Sequence, residues 1–402
     1  MRSLRIAPVA LLCFGALSVS GCRSVTGLSP VAADRSTPPV PATPSGILFV
    51  DNTHNHPETG EGIPFAKQKG LDLFAYDGMA GIIEYVQWCN LEPEEGAYHF
   101  SGVLALLRQA QEKGKKLALG VICGRHVPAW YIQRHSDQVF RYRVVQRRED
   151  IGSIEKDAHV VLPWVKANPG VDESLVLNGT YFSAFSTLMR ALSAEVEAQG
   201  LTESLMYVAI TGPGGGNALE VQWSMPLYDD WQRFDFDATK QELWIAGWVR
   251  CANEFRECFP RTALALAVTD QYGCRLGSTK DKVMHARNTA LSGRVLDAVM
   301  DGETPETQRV YPMGLWLSHW NRWGEDAHPL CRLLQDKREA GFRFGLQGHL
   351  ISHRDLAALE KDTIDKGVEA GATWIEIWHK DIFKDGFERI PPKCERHFRE
   401  RE

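Results

Sequence analysis

Eight short apolar runs, separated mostly by segments of helical spacing, are the feature that most constrains the fold of this chain. Their apolar residues are continuous rather than alternating, which is typical of strands covered on both faces in a parallel sheet. The runs lie at 46–51, 82–88, 116–123, 206–211, 263–269, 313–318, 344–351 and 373–378. The sequence therefore predicts eight parallel strands.

Helical segments lie between most of these runs, because apolar residues recur there every three or four positions. They lie at 103–113, 182–199, 238–259, 282–300, 329–340 and 355–370. Alternation of strand and helix with eight strands predicts an α/β protein with a single (β/α)8 barrel domain at 46–402. A doubly wound open sheet is the alternative, but no GxGxxG follows any of the strands.

Composition excludes several classes of protein. Of 402 residues, 44% are hydrophobic, and the formal net charge is -6. The apolar content is too high for a disordered chain, and the mild acidity argues against nucleic-acid binding. We expect no nucleic-acid partner.

The first 22 residues have the layout of a secretory signal peptide, with two arginines, an apolar run and small residues before Cys22. The ending Val-Ser-Gly-Cys resembles the bacterial lipobox, which predicts lipidation of Cys22 and membrane attachment through that lipid. Arg23 follows the cysteine and favours the outer membrane of a bacterial cell envelope. Residues 23–45, rich in Ser and Pro, are expected to be a disordered tether.

Seven cysteines follow the tether, too few for a disulfide framework in a domain of this size. Neither a CxxC pair nor an HExxH motif occurs in the sequence. We therefore expect no metal site and no cofactor.

Long loops follow the C-terminal ends of three predicted strands, at 124–179, 212–237 and 270–281. Barrel enzymes place their sites at this rim. Acidic residues near the same ends are the candidates for acid/base chemistry: Asp51, Glu92, Glu220, Asp270 and Glu376.

Two of these carboxylates stand out by their surroundings. Glu220 emerges from a glycine-rich segment at 212–219, which lacks the Lys-Ser/Thr of a phosphate loop. Glu376 lies inside an otherwise apolar strand, between Trp374 and Trp378, where an unpaired charge would be costly. The alternative for Glu376 is a buried ion pair.

The segment 86–100, VQWCNLEPEEGAYHF, followed by GKKLALG at 114–120 and VPAW at 127–130, resembles the second and third βα units of retaining (β/α)8 glycoside hydrolases. The similarity is greatest to family 42, the β-galactosidase type. It covers about 50 residues strongly and says little about the sugar.

This resemblance implies an acid/base glutamate after the fourth strand and a nucleophilic glutamate at the seventh. The first maps onto Glu220, although Asn217 stands three residues ahead of it rather than directly before it. The seventh run carries Gln347 and His349 but no carboxylate, and the nearest candidate is Glu376 on the eighth strand. Asp270 is the alternative second carboxylate.

Aromatic and polar residues at the predicted rim could bind a carbohydrate. Twelve tryptophans are present, and eight of them, including Trp164, Trp223, Trp320 and Trp323, fall at or just past strand ends, where they could stack on sugar rings. The predicted substrate-binding residues are Trp88, Glu92, Arg125, His126, Trp130, Asn217, Trp316, His319, Gln347, His349 and Trp378.

The sequence thus predicts an exported, lipid-anchored glycosidase with Glu220 and Glu376 as its carboxylate pair. One alternative is a non-catalytic carbohydrate-binding lipoprotein that has lost the pair. Another is a hydrolase or lyase of a different type that uses Asp270 with a histidine.

Overall fold

Parallel strand pairing dominates the computed structural model, which describes residues 39–52, 72–148, 152–214, 220–225, 227–274, 288–317, 322–348, 355–378, 381 and 385–399. The strands in these ranges are β1 (Gly46–Asn52), β2 (Gly81–Gln87), β3 (Lys116–Ile122), β4 (Val139–Arg148), β5 (Gly152–Val161), β6 (Trp164–Asn168), β7 (Asp172–Leu177), β8 (Leu205–Ala209), β9 (Glu220–Met225), β10 (Ala263–Cys274), β11 (Val310–Leu317), β12 (Gly345–Gly348) and β13 (Trp374–Trp378).

Eight of these strands close into a barrel. Their order is β1-β2-β3-β8-β10-β11-β12-β13, and β13 pairs again with β1. Every pairing in this ring is parallel. The eight strands correspond to the eight apolar runs, so the predicted (β/α)8 barrel is confirmed and the doubly wound alternative is wrong.

Strand residues alternate between two apolar layers. One layer fills the barrel and includes Leu48, Ile83 and Tyr207, whereas the other, with Ile47 and Ile82 among its members, lies between the strands and the helices. Both faces of each strand are therefore buried, which explains the continuous apolar runs.

A glycine on β12 makes room inside the barrel for a tryptophan on β13. A Cβ added to Gly345 would lie 1.9 Å from the indole of Trp374, which is fully buried. Since no side chain fits there, the seventh strand can carry its first inward-pointing side chain only at Gln347, two residues further on.

Helices surround the barrel: α1 (Trp88–Leu91), α2 (Ser101–Glu112), α3 (Ala129–Arg134), α4 (Gly179–Ala198), α5 (Tyr228–Phe234), α6 (Ala238–Cys258), α7 (Thr289–Val299), α8 (Pro329–Glu339), α9 (Leu356–Leu359), α10 (Lys366–Ala370) and α11 (Ile390–Arg399). A π-helical turn at Glu360–Asp365 joins α9 to α10. Side chains cap several N-termini, as Asn178 does for α4 and Asp237 for α6. Within the described ranges, no helix is long and apolar enough to cross a membrane.

The long loop after β3 folds into two antiparallel hairpins, β4–β5 and β6–β7. The loop after the fourth barrel strand returns to the sheet as β9, which pairs in parallel with β10. The sequence indicated the length of both loops but not this structure. All eight barrel strands lie between residues 46 and 378, so the barrel closes without the N-terminal segment.

Candidate active site

Glu376 is an inward-pointing carboxylate in the middle of the eighth barrel strand. Its backbone pairs with Leu48 on one side and with Gln347 on the other. The side chain is 0% exposed. An ionised carboxylate at such a position is costly unless other groups hydrogen-bond to it.

Three side chains donate hydrogen bonds to this carboxylate. The Tyr207 hydroxyl donates to Oε1, while the Gln347 amide and the Tyr85 hydroxyl donate to Oε2, the last over 3.3 Å. Gln347 Nε2 also lies 3.0 Å from the Tyr85 hydroxyl. We call Tyr85, Tyr207, Gln347 and Glu376 the barrel cluster; all four are at most 3% exposed.

Burial and hydrogen bonding shift the acidity of Glu376 in opposite directions. Burial disfavours the charged form, and the three donors partly offset this, so the pKa of Glu376 is raised to about 7. Burial, together with the Glu376 charge, raises the pKa of Tyr207 as well, so its hydroxyl remains a donor at neutral pH. A carboxyl group with a pKa near 7 can give up or accept a proton at neutral pH.

The fourth barrel strand is interrupted, and its second part begins at Glu220. In β8, Tyr207 pairs with Ala263 of β10, and Ala209 pairs with Ala265. In β9, Glu220 pairs with Ala267, which is two residues further along β10 and has the same place in the alternation of the strand. Glu220 therefore continues the line of the fourth strand on the rim side of Tyr207. Only the backbone of Glu220 is described.

Asp270, the alternative carboxylate, is 3% exposed and lies in β10. The pairing of β10 with β9 is irregular between Val268 and Tyr272, the residues that flank it. Both flanking side chains pack in the layer between strands and helices.

The motif at 86–100 forms a compact turn held by Glu92. One carboxylate oxygen of Glu92 accepts from the Trp88 indole over 2.8 Å, and the other accepts from the Gly96 backbone N–H over 2.9 Å. The Trp130 indole donates to the Glu92 carbonyl over 3.1 Å. The structure thus brings Trp88, Glu92 and Trp130 together.

Trp88 and Glu92 are buried at the base of the rim loop. Trp88 is 0% exposed and packs against Tyr131, Tyr181 and Phe185, and Glu92 is buried beside it. Neither residue has appreciable accessible surface, and their contact with a substrate stays a prediction. Their role is to shape the rim loop.

We expect Glu92→Gln to lower the free energy of unfolding by about 1–3 kcal/mol. The glutamine side chain has an NH2 group in place of one carboxylate oxygen, and this group would face the N–H of Trp88 or of Gly96, which needs an acceptor. Urea unfolding measures this difference. Glu94→Gln is the matched control, because Glu94 is exposed in the same motif and its replacement should change stability by less than about 0.5 kcal/mol. Equal effects of the two substitutions would contradict the structural role of Glu92.

Several predicted rim residues do keep accessible surface. Arg125 is exposed, and His126 and Trp130 are half-buried after the third strand. Arg134 lies over the Trp130 ring at 5.8 Å and pairs with Glu95. Trp378 is 9% exposed, and its indole donates to the Gly348 carbonyl over 2.8 Å.

Several of the tryptophans predicted at the rim pack against other aromatic side chains. Trp164 and Trp223 are buried in an aromatic cluster with Phe234 and Phe236. Trp323 stacks on Phe344, which directly precedes β12. Trp164 and Trp223 therefore offer no accessible face, whereas Trp323 is half-buried, and stacking on sugars stays a prediction for these residues.

Other predictions fall on parts of the chain that the structure does not describe. Those at Cys22, Asn217, His319, Trp320 and His349 lie outside the described residues, and at Trp316 only the backbone is described.

Sequence reasoning missed Tyr85 and Tyr207 as partners of Glu376. That both side chains point into the barrel could have been predicted, because each lies two residues from an inward-pointing neighbour on its own strand, Ile83 for Tyr85 and Ala209 for Tyr207. Which strands face each other across the barrel depends on its register, and a single sequence does not give that register.

Comparisons with known proteins agree with this fold. Residues 76–159, about a fifth of the chain, match the sequence profile of the β-galactosidase family, glycoside hydrolase family 42. A search of curated protein sequences finds no match.

Similar solved structures include the catalytic domain of a β-amylase from Paenibacillus polymyxa, with a TM-score of 0.54 and 11% identity over 88% of this chain and 100% of that one. Xylanase 10B from Thermotoga maritima has a TM-score of 0.43 and 9% identity over 83% of each chain. At such low identity the likeness to the β-amylase concerns the fold. The chain therefore has a glycoside hydrolase-like (β/α)8 fold, and its second and third βα units match the β-galactosidase family in part.

Proposed function

We propose that the protein is an exported, lipid-anchored glycosidase that cleaves O-glycosidic bonds of an oligo- or polysaccharide. The observation that carries this proposal is the barrel cluster, a hydrogen-bonded carboxylate with a pKa near 7 beside the seventh strand of a glycoside hydrolase-like barrel. The family match at 76–159 supports it independently.

Glycoside hydrolysis needs one carboxyl group to protonate the leaving oxygen and a second to attack the anomeric carbon or to activate water. We assign the first role to Glu220, whose backbone lies on the rim side of Tyr207. We assign the second to Glu376. The three donors around Glu376 fix its orientation and partly offset the effect of burial. At a pKa of about 7, a large share of the group is ionised at neutral pH, which is the form that both second-carboxylate roles require.

The rim residues supply the binding surface in this proposal. Trp130 offers part of an indole face. Arg125 and His126 lie shortly before it in the chain, in the same segment after the third strand. Trp378 lies two residues beyond Glu376 on the same side of β13, nearer the rim. Asn217, Trp316, His319 and His349 complete the proposed set.

Anchoring in this proposal depends on the N-terminal segment alone. A lipid on Cys22 would attach the protein to the membrane, and residues 23–45 would be a flexible tether that leaves the orientation of the barrel free.

A carbohydrate-binding lipoprotein without catalysis is the second candidate. It is favoured by Gln347, an amide at the inward position of the seventh strand, and by the complete burial of Glu376. Such a protein would keep the rim surface and lack an accessible carboxylate pair.

Hydrolysis and binding assays separate the two candidates. The chain beginning at residue 23, which lacks the lipidation site, is incubated with aryl glycosides and with cell-wall and plant oligosaccharides. We expect release of product from at least one of them, at a rate proportional to protein concentration. Saturable binding of an oligosaccharide without any product would establish the binding protein instead.

A further inference from the structure

Because the fourth strand is interrupted before Glu220, the position of Glu220 must be fixed by contacts other than a continuous strand. The chain leaves the sheet after Ala209 and returns at Glu220, with ten residues, 210–219, between them. A general acid must be held within a fraction of an ångström of its working position, and a glycine-rich connection alone does not provide this. The contacts at the two ends of the connection therefore decide where Glu220 stands.

The first end is fixed to the third strand. The Thr211 hydroxyl donates to the Val121 carbonyl over 2.7 Å, and the Cys123 thiol donates to the Gly212 carbonyl over 3.1 Å. Thr211 and Cys123 are both fully buried. The connection thus starts from a fixed point.

The second end is fixed by a tyrosine of the fifth barrel strand. The Tyr272 hydroxyl donates to the carbonyl of Val221, the residue directly after Glu220, over 3.0 Å. The Ser292 hydroxyl lies 3.2 Å from the same Tyr272 hydroxyl and itself donates to the Thr269 carbonyl. Tyr272 and Ser292 are buried, so water does not compete for these bonds.

This side-chain bond lies where the backbone ladder is irregular. The pairing of β9 with β10 passes from Val221–Val268 directly to Trp223–Tyr272, so β10 has two more residues than β9 in this interval. Regular ladder bonds are lost at such a shift. The Tyr272 hydroxyl supplies a bond to β9 at this place.

We propose that Tyr272 is a positioning residue for Glu220, which it holds in place through the carbonyl of Val221. The inference rests on the proposed function, since it gives Glu220 the role of general acid. Tyr272 does not contact the substrate in this account. Burial raises the pKa of the Tyr272 phenol, so it stays a donor throughout the pH range in which a glutamic acid titrates.

The test compares Tyr272→Phe with the unsubstituted chain on two substrates of the sugar that the hydrolysis panel identifies. An oligosaccharide has a poor leaving group and needs protonation, whereas the dinitrophenyl glycoside leaves without it. We expect kcat/KM to fall about tenfold on the oligosaccharide and less than about twofold on the dinitrophenyl glycoside. Ser292→Ala, which leaves the phenol in place but loosens it, should give a smaller loss of the same kind.

Ser186→Ala is the control, because it also removes a buried hydroxyl, one that donates to Glu254 between α4 and α6. It should leave both kcat/KM values unchanged. An equal loss on both substrates in Tyr272→Phe, or no loss on either, would overturn the inference while leaving a working glycosidase. A chain without substitutions that cleaves neither substrate would overturn the proposed function, and the inference with it.

Discussion

Glu220→Gln should lower kcat/KM on an oligosaccharide by about 10³-fold while leaving most of the activity on the corresponding dinitrophenyl glycoside. The physical reason is that the amide cannot protonate the leaving oxygen, and an activated leaving group does not need that proton. The first step of the reaction determines kcat/KM, so steady-state kinetics with both substrates measure the effect.

A matched control for this substitution is Glu257→Gln. Glu257 is exposed and pairs with Arg190 over 3.1 Å on the outer helices. A surface pair of this kind contributes little, and the variant should behave like the unsubstituted chain. Equal losses on both substrates in Glu220→Gln would show that Glu220 has a role other than that of the general acid.

Glu376→Gln has the second large expected effect, and it shows in stability as well as in activity. The pKa of Glu376 is about 7 in the folded chain, against an ordinary value of 4.5. Between these values the folded chain binds the proton and the unfolded chain has lost it, so this group makes stability fall as pH rises. Below pH 4.5 the titration of Glu376 does not change the free energy of unfolding, and above pH 7 it lowers that free energy by about 3 kcal/mol.

The glutamine variant lacks this titration. We expect the free energy of unfolding of Glu376→Gln, relative to that of the unsubstituted chain, to rise by about 2–3 kcal/mol between pH 5 and pH 8. Denaturant unfolding of both chains at each pH measures the difference between their free energies of unfolding. The contributions of other titrating groups are the same in both chains and cancel in this difference. A difference that is independent of pH would show that the barrel cluster does not raise the pKa of Glu376.

Activity gives the second result for the same variant. An amide at position 376 can neither attack the anomeric carbon nor activate water, so kcat/KM should fall by at least about 10³-fold. This loss should appear on the dinitrophenyl glycoside as well, in contrast to Glu220→Gln, because the second carboxylate acts whatever the leaving group is.

The barrel could be predicted from the sequence because each of its strands is buried on both faces. Continuous apolar runs such as 46–51 and 373–378 follow directly from that burial, and all eight appear in the structure. The helices followed from their periodicity; the helix predicted at 238–259, for example, is Ala238–Cys258.

The hairpins after β3 were not predicted, and the second of them, β6–β7, lies mostly at the surface. The residues of β6 and β7 are mostly exposed after Trp164, and no core face fixes their pattern. Their existence depends on pairing with each other, which composition does not reveal.

The site was predictable only in part. Glu376 stood out because a carboxylate in an apolar strand must find partners, and the structure supplies them. The burial of Trp88 and Glu92 was not predictable, because a motif fixes which residues occur near the rim and not which of them reach the surface. Glu92 turned inward to satisfy the Trp88 indole and the Gly96 N–H.

The most direct test of the carboxylate pair is kcat/KM for the unsubstituted chain, Glu220→Gln, Glu376→Gln and the double variant, on one oligosaccharide that the unsubstituted chain cleaves. Two groups that act on the same bond are expected to be non-additive. The double variant should therefore be no more than about tenfold slower than the worse single variant. Full activity in Glu376→Gln, or losses in the two single variants that simply multiply in the double, would contradict the account.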